Sequence, residues 1–562
     1  MRSVSRSATC VADFTSAEIP RDSTQCRRWG PSVLAAVVLA VVAGPADANE
    51  TLYDQDGYKL AVGIRAGLGG YAASNIDFGA GNVNSNAREA GPFTQRRTDR
   101  QWFEAFAKPF AELETPFFGF GHAYGLVSTV GALTRVSGDP TSSLAPLDER
   151  STTSNGPQHL ALEDLVIGWH SADVFAGSLG EDAVEISGGR QSFVIGDAFL
   201  VGSGVSNGFG RAAIALEPRT SFDRAAILKF TDAPARVQLF KLETRTDQNL
   251  MSGADQPKTK FAGINLALFK PGETPASRLN PGEREANQNA AAIETTREKK
   301  EMPDLWTAGF NFLHVYDADS TPEAFSFPPG EASPKLSINA NRKGLNVYSG
   351  YLQGSFFDFN PDILLHSQFV LERNDSPNRR VQANAWYIEP GYKFSTLPWT
   401  PQINLHYAHF SGDPDPTDRV KQSYDPLFVT TGDRGFGSWT QGQVFGQYVS
   451  ENSNLDVKMV NLKLAPIPEV LDIGAVYYNL YFDQLNQFGE PHITKRHAAD
   501  EVDLYAVWSP KEWLKVTGVV GFAVPGGGLK QAAQVFVAEN GPAGRSVGHT
   551  MTLAEVIFEI EY

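Results

Sequence analysis

The chain has 562 residues, with 48 Lys and Arg against 64 Asp and Glu, a net charge of −16 and 42% apolar residues. So acidic a balance excludes nucleic acid as a partner, because phosphate binding needs clustered Lys and Arg. Both cysteines, Cys10 and Cys26, lie near the start, so whatever follows them holds together without disulfides.

Residues 1–48 read as a signal peptide with an N-terminal extension. Arg27 and Arg28 precede the apolar run from Val33 to Ala43, and Ala46-Asp47-Ala48 follows with the small-x-small pattern of a cleavage site. The same arginine pair also fits a twin-arginine export signal. The run is too short for the roughly 20 apolar residues of a membrane helix, and no later stretch approaches that length. Cleavage after Ala48 leaves 43 Lys and Arg against 60 Asp and Glu, a net charge of −17.

From Lys59 onward the chain alternates. Leu60, Val62, Ile64, Ala66 and Leu68 share one face, and Gly63, Arg65 and Gly67 the other. Later segments repeat the pattern: Ile363, Leu365, Phe369 and Leu371 against His366, Gln368 and Glu372, then Val502, Leu504, Ala506 and Trp508 against Glu501 and Asp503. Alternation over about 9 to 11 residues, bounded by turn residues, marks barrel strands with one face to lipid and one to water. The last segment puts Ala554, Val556, Phe558, Ile560 and Tyr562 on one face and Glu555, Glu559 and Glu561 on the other. A final alternating strand that ends on an aromatic resembles the signal read by the outer-membrane barrel-assembly machinery. Trp102, Trp169, Trp386, Trp399, Trp508 and Trp513 sit near segment ends, as interfacial girdles require.

Working back from Tyr562, connections must alternate between the two ends of a barrel, and the inner ones should be short. Strands are expected near 57–69, 101–112, 122–136, 159–170, 183–194, 223–231, 235–243, 260–270 and 306–316, then near 343–357, 361–373, 381–394, 401–411, 455–465, 470–483, 499–509, 513–524 and 550–562. The fold class is therefore all-β: a transmembrane antiparallel β-barrel of about 18 strands spanning residues 49–562, with long extracellular loops and one long periplasmic loop. The outer loops are 137–158, 195–222, 317–342, 412–454 and 525–549. Gln441 to Ser450 has strand-like character, but counting it breaks the alternation of ends, so it stays in an outer loop. Residues 271–305 form the long periplasmic connection. Its Ala/Glu/Lys/Arg-rich part, with Glu283, Glu294, Arg297, Glu298 and Lys299, reads either as a solvated tether or as a gate under the pore.

Short motifs then suggest a family. Gly188-Gly189-Arg190-Gln191 followed by Gly196-Asp197-Ala198-Phe199-Leu200-Val201-Gly202 resembles the glycine-arginine-glutamine strand and loop of alginate-export outer-membrane porins. His409-Phe410-Ser411-Gly412-Asp413-Pro414-Asp415 is similar to that family's strand end and outer loop. The resemblance implies an eighteen-stranded barrel, an Arg-rich anion-selective lumen, passive export of a uronic-acid polymer and a gating periplasmic loop. The inward residues depart from it: Arg65, Lys229, Arg236, Lys463 and Lys515 are balanced by Glu501, Asp503 and Glu559, a mixed lumen. Arg190 would face lipid by strict alternation from Ile186, so a bulge at Gly188-Gly189 is expected to turn it inward; its alternative role is a structural bond to a nearby carboxylate.

His406 and His409 are three apart on a strand and so on opposite faces. Asp413, Asp415 and Asp418 are metal candidates for calcium, but without the usual loop glycine and glutamate they also read as a solvated acidic loop. No nucleophile elbow, zinc motif, phosphate loop or dinucleotide fingerprint is present, and no cofactor is expected. The function expected is an outer-membrane channel for polar or anionic solute or polysaccharide, in contact with outer-membrane lipid and lipopolysaccharide. Uptake of small anionic molecules is the alternative reading, and a barrel-anchored enzyme or adhesin a further one.

Overall fold

The structure, a computed structural model, describes residues 50–79, 98–136, 158–204, 212–213, 215–244, 258–271, 304–318, 342–357, 359–375, 380–428, 442–446, 449–450, 452–511, 513–540 and 547–561. Residues 1–48, and Glu283, Glu294, Arg297, Glu298 and Lys299 with the rest of 272–303, lie outside the described residues.

The alternating segments form strands in the expected order. They are β1 (Glu50–Gln55), β2 (Tyr58–Ser74), β3 (Arg100–Glu114), β4 (His122–Val136), β5 (Gln158–His170), β6 (Val184–Gln191) and β7 (Phe222–Asp232). Next come β8 (Ala235–Glu243), β9 (Thr259–Pro271), β10 (Asp304–Ala318), β11 (Asn346–Gly354), β12 (Ile363–Asn374), β13 (Arg380–Lys393) and β14 (Gln402–Phe410). The series ends with β15 (Val420–Lys421), β16 (Leu455–Ile467), β17 (Leu471–Phe482), β18 (His497–Lys511), β19 (Leu514–Pro525) and β20 (Met551–Glu561). Leaving out β1 and the two-residue β15, eighteen strands pair antiparallel with their chain neighbours. Pairing of β2 with β20, from Arg65 opposite Glu561 to Ser74 opposite Thr552, closes the barrel. Closure leaves no free strand edge, which lipid would not tolerate.

β1 is an addition that the alternation did not reveal. Asp56 and Gly57 have φ of 53° and 79°, the left-handed pair of a tight hairpin turn, and fold β1 back on β2 from Gln55 opposite Tyr58 to Glu50 opposite Val62. It covers the part of the β2 edge that β20 does not reach. A second addition is the helix Gly527–Asn540 inside the outer loop after β19, which buries Leu529, Ala532 and Ala533. Residues 442–446 form one wide helical turn and add no strand.

Alternation decides what each face meets. On β9 and β10, Leu266, Leu268 and Phe310 are exposed outward, while Phe261, Asn265, Phe269 and Asn311 are buried inward. The outward set continues around the wall through Ile167, which is 74% exposed, Leu405, Leu504 and Val556. So wide an apolar face is a surface for lipid. No helix among the described residues is long and apolar enough to span a membrane. Trp102 departs from the girdle expectation: it shares the inward face of β3 with Glu104 and Phe106, is 3% exposed and stacks on Tyr71 at 4.9 Å.

Candidate functional site

Two outer loops turn back into the barrel. The first, between β6 and β7, carries Phe193, Ile195, Phe199, Leu200 and Val201, too apolar for a solvated loop, and all are buried. Phe193 packs on Phe240 of β8 at 5.0 Å, and Phe199 lies 5.0 Å from Tyr387 of β13 and 5.8 Å from Phe410 of β14. Tyr387 donates its hydroxyl to Asp197. A segment that leaves the wall at β6 and touches β8, β13 and β14 must cross the lumen. Gly196 has φ of 60°, a left-handed backbone that favours glycine, and an added Cβ there would lie 2.8 Å from the side-chain amide of Gln353 on β11, which would have to swing aside.

The second loop, between β14 and β16, meets the first. Val201 bridges Phe428, whose carbonyl accepts from the Gly202 and Ser203 amides at 2.9 and 3.0 Å. Phe428 stacks on Phe261 of β9 at 4.2 Å, and Arg342 grips Asp425 through two hydrogen bonds of 2.7 and 2.6 Å. Burial beside Glu372 and Asp425 pushes the Tyr424 phenol up.

Wall carboxylates clasp the backbones of both loops. Glu501 accepts from the Val444 and Phe445 amides, each at 2.7 Å, and Asp503 from Gln443 at 2.9 Å. The Gln443 side chain donates to Glu555 at 2.6 Å. Glu372 accepts from Asp425 at 3.0 Å. In the first loop, Glu104 accepts from Ala215 and Leu216 at 2.9 and 3.3 Å, and Glu163 from Thr220 and Ser221 at 2.9 and 3.1 Å. Buried loop amides need acceptors, and carboxylates are the strongest the chain has. A register shift between β4 and β5 inserts Glu163 as an extra residue, so that it and Asp164 are both buried. Asp164 then pairs with Lys108 at 3.2 Å. Here the bulge re-aims two acids at once.

The periplasmic half of the lumen is polar instead. Arg65 (3.4 Å) and Lys515 share the single carboxylate of Glu559, Lys229 lies 3.8 Å from Glu185, and Arg236 sits 4.6 Å over the Phe269 ring. Lys463 lies opposite Gln402 on the inward face. His406 joins Glu389 at 2.9 Å, and Asn404 donates to the same group at 2.7 Å.

Residues 372–488 match the family described as alginate export. The closed eighteen-strand wall with its apolar outer face has the build of an outer-membrane β-barrel. Similar solved structures include Pseudomonas aeruginosa OccK7 (OpdD), 10% identical with 90% of this chain and 99% of that chain covered at a TM-score of 0.41. P. aeruginosa OccD3 (OpdP) is 8% identical, with 93% and 95% covered at 0.43. A BenF-like porin from Pseudomonas fluorescens Pf-5 is 8% identical, with 89% and 97% covered at 0.45. No curated protein matches the chain.

Several sequence-derived site residues take other places in the barrel. Arg190 stands opposite Leu165, which is exposed on the outer face; its guanidinium bonds Asp223 and, at 2.7 Å, the Leu162 carbonyl. The register does shift at Gly189, with φ of 122°, but the shift brings Arg190 to Asp223 and leaves it out of the lumen. Glu501 and Asp503 point inward but hold a loop instead of facing the passage. Asp413, Asp415 and Asp418 do not converge. Asp415 caps its own turn through Thr417, which holds its carboxyl below the usual range, and Asp418 bonds the Val420 amide at 2.6 Å. Among the described residues the ligand atoms of His409, Asp456 and Asp483 do lie close together, but Arg496 already sits 3.3 and 3.4 Å from the two aspartates.

Glu104, Glu163 and Glu372 were missed as functional residues. One signal was available: along Leu160, Leu162, Leu165 and Ile167 the apolar spacing slips by one residue at Glu163-Asp164. The partners of these acids lie 53 to 112 residues away, beyond any local pattern.

Proposed function

We propose that the channel passes acidic saccharide or smaller anionic solute, and that its conductance is set by the two inward loops. The observation that carries the gating part is the carboxylate clasp, above all Glu501 on the Val444 and Phe445 amides. The alginate-export match runs from Glu372 to Phe488 and so contains the whole second loop with one of its wall clamps. Anion passage is supported by how the charges are used. The outer-half acids are occupied by loop amides, whereas the periplasmic half holds Arg65 and Lys515 against the shared carboxylate of Glu559, Lys229 beside Glu185, and Lys463 and Arg236 on the same half as the buried acids Glu112, Glu389 and Asp472. A solute carboxylate entering a narrow pore needs such compensation.

The barrel acts as a conduit with no catalytic role, surrounded by outer-membrane lipid and inserted by the assembly machinery. Planar-bilayer recordings under a salt gradient test the reading: the reversal potential should indicate anion preference, and Lys515→Glu should weaken it. A cation-preferring channel, or one indifferent to Lys515, refutes the proposed solute class.

A further inference from the structure

The outward face of β6 to β11 carries, just above its apolar belt, more cations than carboxylates. Leu228 and Leu239, opposite each other on β7 and β8, are exposed to lipid. Further toward the outer rim the same outward series reaches Arg224 on β7 and Lys241 on β8, both exposed. Among the described residues neither forms an ion pair; the Lys241 ammonium rests 5.5 Å from the Tyr316 ring. Lys241 is flanked by Ala226 on one neighbouring strand and Ala262 on the other, so its head stands in a shallow recess. Close by, Lys260 and Lys343 share Asp317 at 2.9 and 3.4 Å, and Lys343 is 68% exposed. With Arg190 and Lys258, the described residues of this rim include six cations against Asp223, Glu243 and Asp317. On the opposite rim Lys458 also rests over a ring, 5.1 Å from Tyr481, but Arg496, His409 and His497 each lie within 3.4 Å of an aspartate.

We propose that this rim is a docking surface for phosphorylated glycolipid of the outer leaflet. Acyl chains lie along Leu228, Leu239 and Leu266, and the sugar phosphates meet Arg224, Lys241 and Lys343. Charge complementarity chooses the occupant: a lysine above a lipid-facing leucine, with no carboxylate of its own, meets its counter-charge in the headgroup layer. The proposal rests on the outer-membrane placement of the barrel and is independent of what the lumen conducts.

The test is binding of bisphosphorylated lipid A to the purified barrel in non-ionic detergent, read by native mass spectrometry. Arg224→Gln with Lys241→Gln should weaken binding about 25-fold, roughly fivefold for each cation removed. The charge-conserving pair Arg224→Lys and Lys241→Arg should restore it, and dephosphorylated lipid A should bind the unmodified barrel as weakly as bisphosphorylated lipid A binds the double variant. Equal affinity of the double variant and the unmodified protein, or indifference to the phosphates, overturns the proposal. If the double variant does not fold, Lys343→Gln alone must still lose about fivefold. Heat-modifiable gel migration of the unmodified protein is the separate check on the barrel, so failure there is distinguishable from failure of lipid binding.

Discussion

Removing the Glu501 carboxylate is the most direct way to release the second inward loop. Glu501→Ala leaves the Val444 and Phe445 amides, now held at 2.7 Å each, without their acceptor. Hydrogen bonds to charged groups contribute about 1.5–3 kcal/mol apiece. Water reaching the vacated space recovers part of this, so a net loss of about 3 kcal/mol is the reasonable figure. That shifts the balance between clasped and released loop by roughly 150-fold toward release. Asp503 and Glu555 still hold Gln443, so the loop loosens without leaving the barrel. In single-channel recordings the variant should spend far more time at a higher conductance level. Glu501→Gln keeps one acceptor oxygen and should fall between the two. Heat-modifiable migration confirms that each variant is a folded barrel. Unchanged conductance and dwell times in folded Glu501→Ala would show that the clasp does not govern passage.

Joining the two loops should have the opposite effect. In a protein lacking Cys10 and Cys26, Val201→Cys with Phe428→Cys places two thiols across the bridge between the loops; oxidation should lower conductance, and a reductant should restore it. Arg190→Ala should slow refolding into detergent while leaving the reversal potential where it was, because Arg190 ties β6 to Asp223 outside the lumen; an altered selectivity would return it to the pore. Phe310→Arg on the lipid face of β10 should destabilise the barrel in lipid by about 2–4 kcal/mol, measured by denaturant titration. Gln238→Arg, at an inward and only part-buried position on β8, should cost much less, and equal costs would mean that the faces have been assigned the wrong way round.

The strand order, the eighteen-strand count and the faces of the clearly alternating strands were legible in the sequence, because a period of two is a local property and lipid punishes a charged residue on the wrong face. Even the bulge at Glu163 left a trace in the slipped leucine spacing. The placement of the outer loops left none that alternation could detect. Phe193 to Val201 was apolar enough to require burial, but whether that burial lay in the lumen or elsewhere depended on Phe240, Tyr387 and Phe410, which come from three different strands. The acids were misread for the same reason. An inward glutamate looks identical in sequence whether it faces water or a loop amide, so only tertiary structure could turn Glu501 from pore lining into a clamp and show Glu372 and Glu104 to be clamps as well. Local periodicity determined the wall; long-range hydrogen bonding and packing, which no window of the chain contains, decided what fills it.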